Sequence, residues 1–260
     1  MLPYERIIQN PNLPENDVTA VIIGKKYISD CEALNEYGIR IITPDFINIL
    51  PVYISEHPDM NIFHFGNNKI FLGNKAAGES LSDFECNFIS ETQGSEYPND
   101  CLFNCVRIEN KFICNEKTAS KEILDCAYNS ELQIINVKQG YTKCSVCVID
   151  NNSIITDDES IYKSASDYFD DILLIGKGSI KLETKEYGFI GGATGKIGRN
   201  KLAFNGRIES HTDHNKIFDF LNKHCITAIE LNNGVLKDIG SIIPVFEKTS
   251  KIANTASVLR

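Results

Sequence analysis

Basic charge is scarce in this chain. Lys and Arg number 26 against 35 Asp and Glu, a formal charge of −9. No stretch gathers the basic residues into a stripe. Such a balance suits a phosphate backbone poorly, so no nucleic acid and no anionic membrane surface is expected as a partner. A cationic small molecule would be favoured electrostatically. Long apolar runs are missing too. No segment reaches the roughly 18–20 apolar residues needed to cross a bilayer. The opening MLPYERIIQNPNLPEND has no basic stretch leading into an apolar one, so no signal peptide is expected. The nine cysteines are an odd number without an export signal. They predict free thiols in a reducing cytoplasm rather than a disulfide framework. Nothing reads as a linker. The 260 residues, 42% of them apolar, are therefore expected to form a single domain over 1–260.

What is present is a repeat. A strand leads into a short Asn-bearing turn, then a second strand, an amphipathic helix and a very apolar third strand. One copy reads SVCVID-NN-SIIT, then 158–169, then DILLIG. Another reads CLFNCVRI-EN-KFIC, then 120–128, then LQIINV. NIFHFG-NN-KIFLG with CNFIS precedes them, its helix poorly defined; ATGKIG-RN-KLAFN, 213–224 and ITAIEL follow. The turn residues Asn68, Asn110, Asn152 and Asn200 lie 42, 42 and 48 positions apart. Asn suits tight hairpins because it tolerates positive φ. Thr156-x-x-Glu159 predicts a capping box at one helix start. A self-similar period of this kind implies modular α/β architecture.

The ends complete a further copy. SIIPVFE near the C-terminus offers one strand. VTAVIIG, a helix over 29–37 and IRIIT near the N-terminus offer the rest. Joining them would close a ring of about five ββαβ modules and leave no open sheet edge.

In such a ring the same point of each module faces the same axial end. The positions at the starts of the first strands carry His57, Asp59, Asp100, Lys143, Cys144, Gly191, Gly192, Asp238 and Ser241. Carboxylates can hold a guanidinium through paired charge-assisted hydrogen bonds. His57 suits general acid–base work. Cys144 beside Lys143 suits a nucleophile. The glycines allow close backbone approach. Gly191 to Lys196 resembles a phosphate-binding loop but has short spacing and Ile197 where a magnesium-binding hydroxyl belongs. Cys144-x-x-Cys147 could form a dithiol or zinc site only if a turn brought the two together. Cys101, Cys105, Cys114 and Cys126 read as core residues.

HPDM at 57–60, VKQGYTKCS at 137–145, GFIGGATGKIG at 188–198 and DIGSIIP at 238–244 resemble a bacterial family of unassigned function. That family is placed in the guanidino-group-modifying-enzyme, or pentein, fold. The resemblance covers nearly all of the chain past about residue 50. It implies an α/β propeller of five modules, related to arginine and agmatine deiminases, dimethylargininase and amidinotransferases. In those enzymes a Cys attacks the guanidinium carbon, a His moves protons and acidic residues grip the substrate. His57 and Asp59 stand in the place of their His-x-Asp signature. The enzymes' nucleophile sits near the C-terminal end, where this chain has Ser241 and no Cys. Cys144 lies two modules from His57 rather than one.

The expected function is therefore a small-molecule site at the ring mouth for a guanidino or related cationic compound. His57 and Cys144 are its catalytic candidates. Asp59, Asp100, Lys143, Asp238, Ser241, Gly191 and Gly192 are its substrate-binding candidates. Neither a cofactor nor a metal is expected. One alternative is a pentein that binds without catalysis, as ribosome anti-association factors of this fold do. A weaker one is a metal centre on His57, Asp59 and Cys144.

Overall fold

The computed structural model describes residues 1–2, 4–46 and 49–249. The last residues of the expected 1–260 span lie outside the described residues. The chain opens with β1 (Glu5–Ile7), β2 (Val18–Ile22) and β3 (Arg40–Ile42). Four modules follow. The first is β4 (Ile62–Gly66), β5 (Lys69–Leu72), α1 (Lys75–Glu79) and β6 (Glu85–Phe88). The second is β7 (Val106–Ile108), β8 (Lys111–Cys114), α2 (Lys121–Asn129) and β9 (Gln133–Asn136). A helical turn, α3 (Thr142–Ser145), introduces the third: β10 (Val146–Val148), β11 (Ser153–Thr156), α4 (Glu159–Ala165) and β12 (Asp171–Leu174). The fourth is β13 (Thr194–Gly198), β14 (Lys201–Phe204), α5 (His214–Lys223) and β15 (Thr227–Glu230). In each, the first two strands are antiparallel and the third runs parallel to the second.

The last strand, β16 (Ile243–Lys248), inserts between β1 and β2 and is antiparallel to both. With the parallel β2–β3 pair it builds the fifth module from the two ends of the chain. Five sheets result. The apolar packing explains why they form a ring. Five clusters of buried side chains each straddle two neighbouring modules. Ile62 and Ile70 pack with Ala20 and Val245. Phe71 packs with Phe112, and Ile113 with Ile154. Ile155 packs with Leu202. Ala203 and Ile197 pack with Val21, which closes the circle. No module buries its apolar face alone.

Local details depart from expectation. Asn68, Asn110, Asn152 and Asn200 do not adopt positive φ; Asn67 (φ 53) and Glu109 (φ 54) do so one place earlier in two hairpins. The contact the four positions share is made by the main-chain carbonyl and does not depend on the Asn side chain. Each accepts the N–H of an incoming third strand, from Glu85, Gln133, Asp171 and Thr227 at 2.7, 2.7, 3.3 and 2.8 Å. The capping box is replaced by a single cap. Asp158, not Thr156, accepts from Ser160 and Ile161 N–H at the start of α4. Thr156 donates its hydroxyl to the Ser145 carbonyl. The 29–37 segment is a 3₁₀ helix broken at Cys31, not an α-helix.

The closing strand carries a testable load. Phe246 on β16 is 2% exposed and stacks against Phe84 at 5.4 Å. Phe246→Ala is expected to cost roughly 3–5 kcal/mol in urea unfolding. Phe88→Ala, at a site 44% exposed, should cost under about 1 kcal/mol.

Candidate functional site at the mouth of the ring

Five chain segments meet where the first strands begin, and hydrogen bonds tie them together. Asp59 N–H donates to the Gly240 carbonyl at 3.1 Å. Gly192 N–H donates to the Cys144 carbonyl at 2.9 Å, and Ser241 N–H to the Gly192 carbonyl at 2.9 Å. Tyr141 donates its hydroxyl to Asp100 Oδ2 at 2.8 Å. The shared axial end expected from the repeat is therefore present.

The centre is a buried carboxylate. Asp59 Oδ2 accepts from the Ser241 hydroxyl at 2.7 Å and from the Cys144 thiol at 3.3 Å. Lys143 Nζ donates to Ser241 Oγ at 3.0 Å. Asn104 Oδ1 accepts the backbone N–H groups of Lys143 and Cys144 at 2.6 and 3.1 Å. Its Nδ2 lies 3.1 Å from Cys144 Sγ. Asp59, Ser241 and Lys143 lie behind Cys144, while Cys144 itself borders an open cavity.

That cavity has a volume of about 380 Å³. His57, Cys144 and Asp238 supply its buried polar lining. Tyr53, Tyr141, Tyr187 and Phe189 supply an aromatic wall, and Lys185 and Glu186 stand among the remaining lining residues. Asp238 is fixed by two backbone donors, Phe189 N–H on Oδ2 and Gly240 N–H on Oδ1, each at 3.0 Å. His57 Nδ1 lies 3.6 Å from Asp238 Oδ1, and its Nε2 lies 3.0 Å from the Tyr27 hydroxyl. The imidazole is not hydrogen-bonded to Cys144.

A family model described as a family of unknown function (DUF6873) matches residues 22–243. The chain belongs to that family. No curated protein matches it. Solved structures do. The C. jejuni agmatine deiminase is 12% identical, covers 91% of this chain and 95% of its own, and superposes with a TM-score of 0.54. The inosamine-phosphate amidinotransferase of Streptomyces griseus is 8% identical over 94% and 98%, with a TM-score of 0.55. The DDAH of Pseudomonas aeruginosa, in complex with citrulline, is 9% identical over 90% and 100%, at 0.52. At such identities the likeness establishes the fold, and it is the pentein fold that the sequence motifs implied.

The remaining expected residues of this DUF6873 chain fall into place unevenly. Asp100 does not line the cavity. It orients Tyr141, which does, and accepts from the Cys101 thiol at 3.1 Å. Gly191 and Gly192 do not line it either. A Cβ on Gly191 would sit 2.3 Å from the Lys143 carbonyl oxygen, and one on Gly192 2.0 Å from Asp238 Oδ1. Their bareness lets the backbone close around α3 and Asp238. A turn does precede Cys147, but it aims Cys144 at Asp59 while Cys147 enters an apolar core. Among the described residues no three His, Cys, Asp or Glu converge as a metal-ligand set. All nine cysteines are unpaired. Asn104 and the aromatic wall were not singled out from the sequence. Asn104 lies within the CLFNCVRI copy, but it is not one of the residues the copies share, and the wall draws on loops between modules.

Burial dominates the electrostatics. It holds the His57 imidazolium down to about 3, with the Lys26 and Lys237 ammonium charges adding to the effect. His57 is thus neutral at physiological pH. Burial raises Asp238 to about 7, and the Asp59 charge adds to it. Burial also raises Asp59 and lowers Lys143, although the two charges oppose those shifts in each other. The Cys144 thiol is pushed well up by burial and then by the charges of Asp59 and Asp238. The unliganded site therefore holds a protonated thiol beside carboxylates short of counter-charge.

Gly240 sets the His57 position. It has φ +75, and a Cβ there would lie 2.3 Å from His57 Cβ. Gly240→Ala is expected to lower stability by at least about 1–3 kcal/mol, read as a fall in urea midpoint. An unchanged midpoint would mean the loop is free to move.

Proposed function

We propose that the cavity binds a compound carrying a guanidinium or similar delocalised cation, and that Cys144 hydrolyses its carbon–nitrogen bond. The chain is proposed to work as one cytoplasmic domain. The unpaired cysteines and the joining of both ends in one sheet support that reading. The observation that carries the proposed function is the lining of the cavity. One buried carboxylate, Asp238, faces an aromatic wall, with a thiol and a neutral imidazole beside it, while the charged Lys185 and Glu186 of the lining are exposed. A planar cation is favoured over aromatic faces and can take charge-assisted hydrogen bonds to the carboxylate. The agmatine deiminase and amidinotransferase likeness supports the same chemistry.

A balanced reaction follows. The thiol proton passes to Asp59, and sulfur bonds to the guanidinium carbon. One C–N bond breaks as Asp59 returns that proton to the departing nitrogen, and the amine leaves. Water then gives up one proton as its oxygen bonds to the carbon; the C–S bond breaks, and the second water proton restores the thiol, giving a urea. A bound cation would favour the thiolate by offsetting the carboxylate charges that raise it. Asp238, raised by burial to about 7, is the stronger base beside the water and accepts its proton, while His57, whose imidazolium is held down to about 3, stays neutral at the cavity wall.

A second reading is binding without turnover. It is favoured by Cys144 bonding to Asp59 rather than to His57. A guanidino-compound panel assayed for ammonia, amine and urea release separates the two. The catalytic reading expects turnover that falls by about a thousandfold or more in Cys144→Ala. Full activity in that variant removes it. Calorimetric binding without turnover, retained in Cys144→Ala and lost in Asp238→Asn, selects the second reading.

The pH dependence has a definite sign. The cation pairs with ionised Asp238. Affinity should therefore rise about tenfold per pH unit below pH about 7 and level off above it. Flat affinity between pH 5 and 8 would exclude Asp238 as the counter-ion.

A further inference from the structure

Cys144 carries three unfavourable influences on its thiolate: burial, the Asp59 charge and the Asp238 charge. A reactive sulfur here needs a donor. The obvious candidates are occupied elsewhere. Lys143 Nζ donates to Ser241, and the two ring nitrogens of His57 face Asp238 and Tyr27. Among the described residues one hydrogen bond is donated to Cys144 Sγ, and it comes from Asn104 Nδ2 at 3.1 Å.

Asn104 is 1% exposed and its orientation is fixed from both ends. Oδ1 accepts two backbone N–H groups, those of Lys143 and Cys144. Rotating the amide by half a turn would set its NH₂ against those donors. Nδ2 therefore faces Cys144 Sγ, the Asp59 carbonyl at 3.2 Å and Met60 Sδ at 3.2 Å. Two N–H bonds serve three acceptors. An acceptor that gains negative charge takes the stronger share, because charge-assisted hydrogen bonds are the stronger ones.

We propose that Asn104 is the positioning residue for the Cys144 sulfur: it fixes the α3 backbone through its oxygen and stabilises the thiolate through its amide. When the thiol ionises, the S–H bond breaks, its proton goes to Asp59 Oδ2 and the electron pair stays on sulfur. The Asn104 N–H then turns from a weak thiol contact into a bond to an anion. The residue is supplied by the loop before β7, so the side chain that prepares the nucleophile belongs to a different module from the nucleophile.

The inference rests on the reading of Cys144 as the reactive group, but its test needs no substrate. Cys144 alkylation by iodoacetamide and by N-ethylmaleimide is followed by peptide mass spectrometry near pH 8. Asn104→Ala is expected to slow both reagents by the same factor, about tenfold, equivalent to one pKa unit. A loss of positioning alone would change access, and would alter the rate of the bulkier maleimide more than that of iodoacetamide. Asn104→Asp keeps an oxygen for the two backbone N–H groups and removes the donor, so it should slow both reagents further. Unchanged or faster alkylation in both variants overturns the proposal, as does a change confined to the maleimide. If Asn104→Ala does not fold by circular dichroism, Asn104→Asp decides alone. A silent turnover panel counts against catalysis by Cys144 and leaves this result standing.

Discussion

The structure depends on β16 finding its place between β1 and β2. Each of the five clusters between the sheets is shared by two modules, so no module is complete without its neighbours. β16 supplies Val245 and Phe246 to one of those shared cores, and the strands it joins supply Val21 to the closing one. The mouth is a consequence of that closure. The 238–241 segment leads directly into β16, and its Gly240 carbonyl receives the Asp59 N–H. Were the ring open, Asp238 and His57 would have no reason to meet.

The same closure imposes an electrostatic cost that shapes the site. Asp59, Asp238, His57 and Lys143 are all withdrawn from water. An isolated buried charge is expensive, and pairing rarely removes the whole penalty. Lys143 offsets Asp59 through the Ser241 hydroxyl, not by direct contact. Asp238 has two backbone donors, yet burial still carries it to about 7. Among these buried groups the balance left is a shortage of positive charge, the Lys185 ammonium of the lining being exposed and seated over the Tyr53 ring at 4.7 Å. That shortage is the physical content of the proposed preference for cations.

Much of this was legible in the sequence because it was repeated. The spacing of Asn68, Asn110, Asn152 and Asn200 marked four modules, and HPDM, TKCS and DIGS marked the points that converge. The reason offered for the Asn residues was nonetheless wrong. A periodic residue advertises a structural equivalence without naming its cause, and the contact these four positions share is a main-chain carbonyl that any residue would supply. Asn104 and Tyr53 carried no such signal. Asn104 sits in a repeat copy at a position the copies do not share, and Tyr53 precedes the first module, so only tertiary packing brings them to Cys144 and Lys185. Gly191 and Gly192 were read as lining when they are spacers. A sequence shows that a side chain is missing, but not whether ligand or backbone fills the gap.

The unusual place of the cysteine also takes a different meaning in three dimensions. Along the chain Cys144 is far from the C-terminal position that the resemblance assigns to a nucleophile, and Ser241 stands there instead. Around a closed ring the separation along the chain loses its force. Cys144 Sγ and Ser241 Oγ donate to the same oxygen of Asp59. One carboxylate thus bridges a hydroxyl from the last segment and a thiol from the third module. A thiol supplied from either side would meet the same carboxylate. What differs is its companion. At Ser241 the oxygen faces the Lys143 ammonium, whereas at Cys144 the sulfur faces the Asn104 amide and the open cavity. Of the two groups, the sulfur is therefore the one that combines access with a neutral donor.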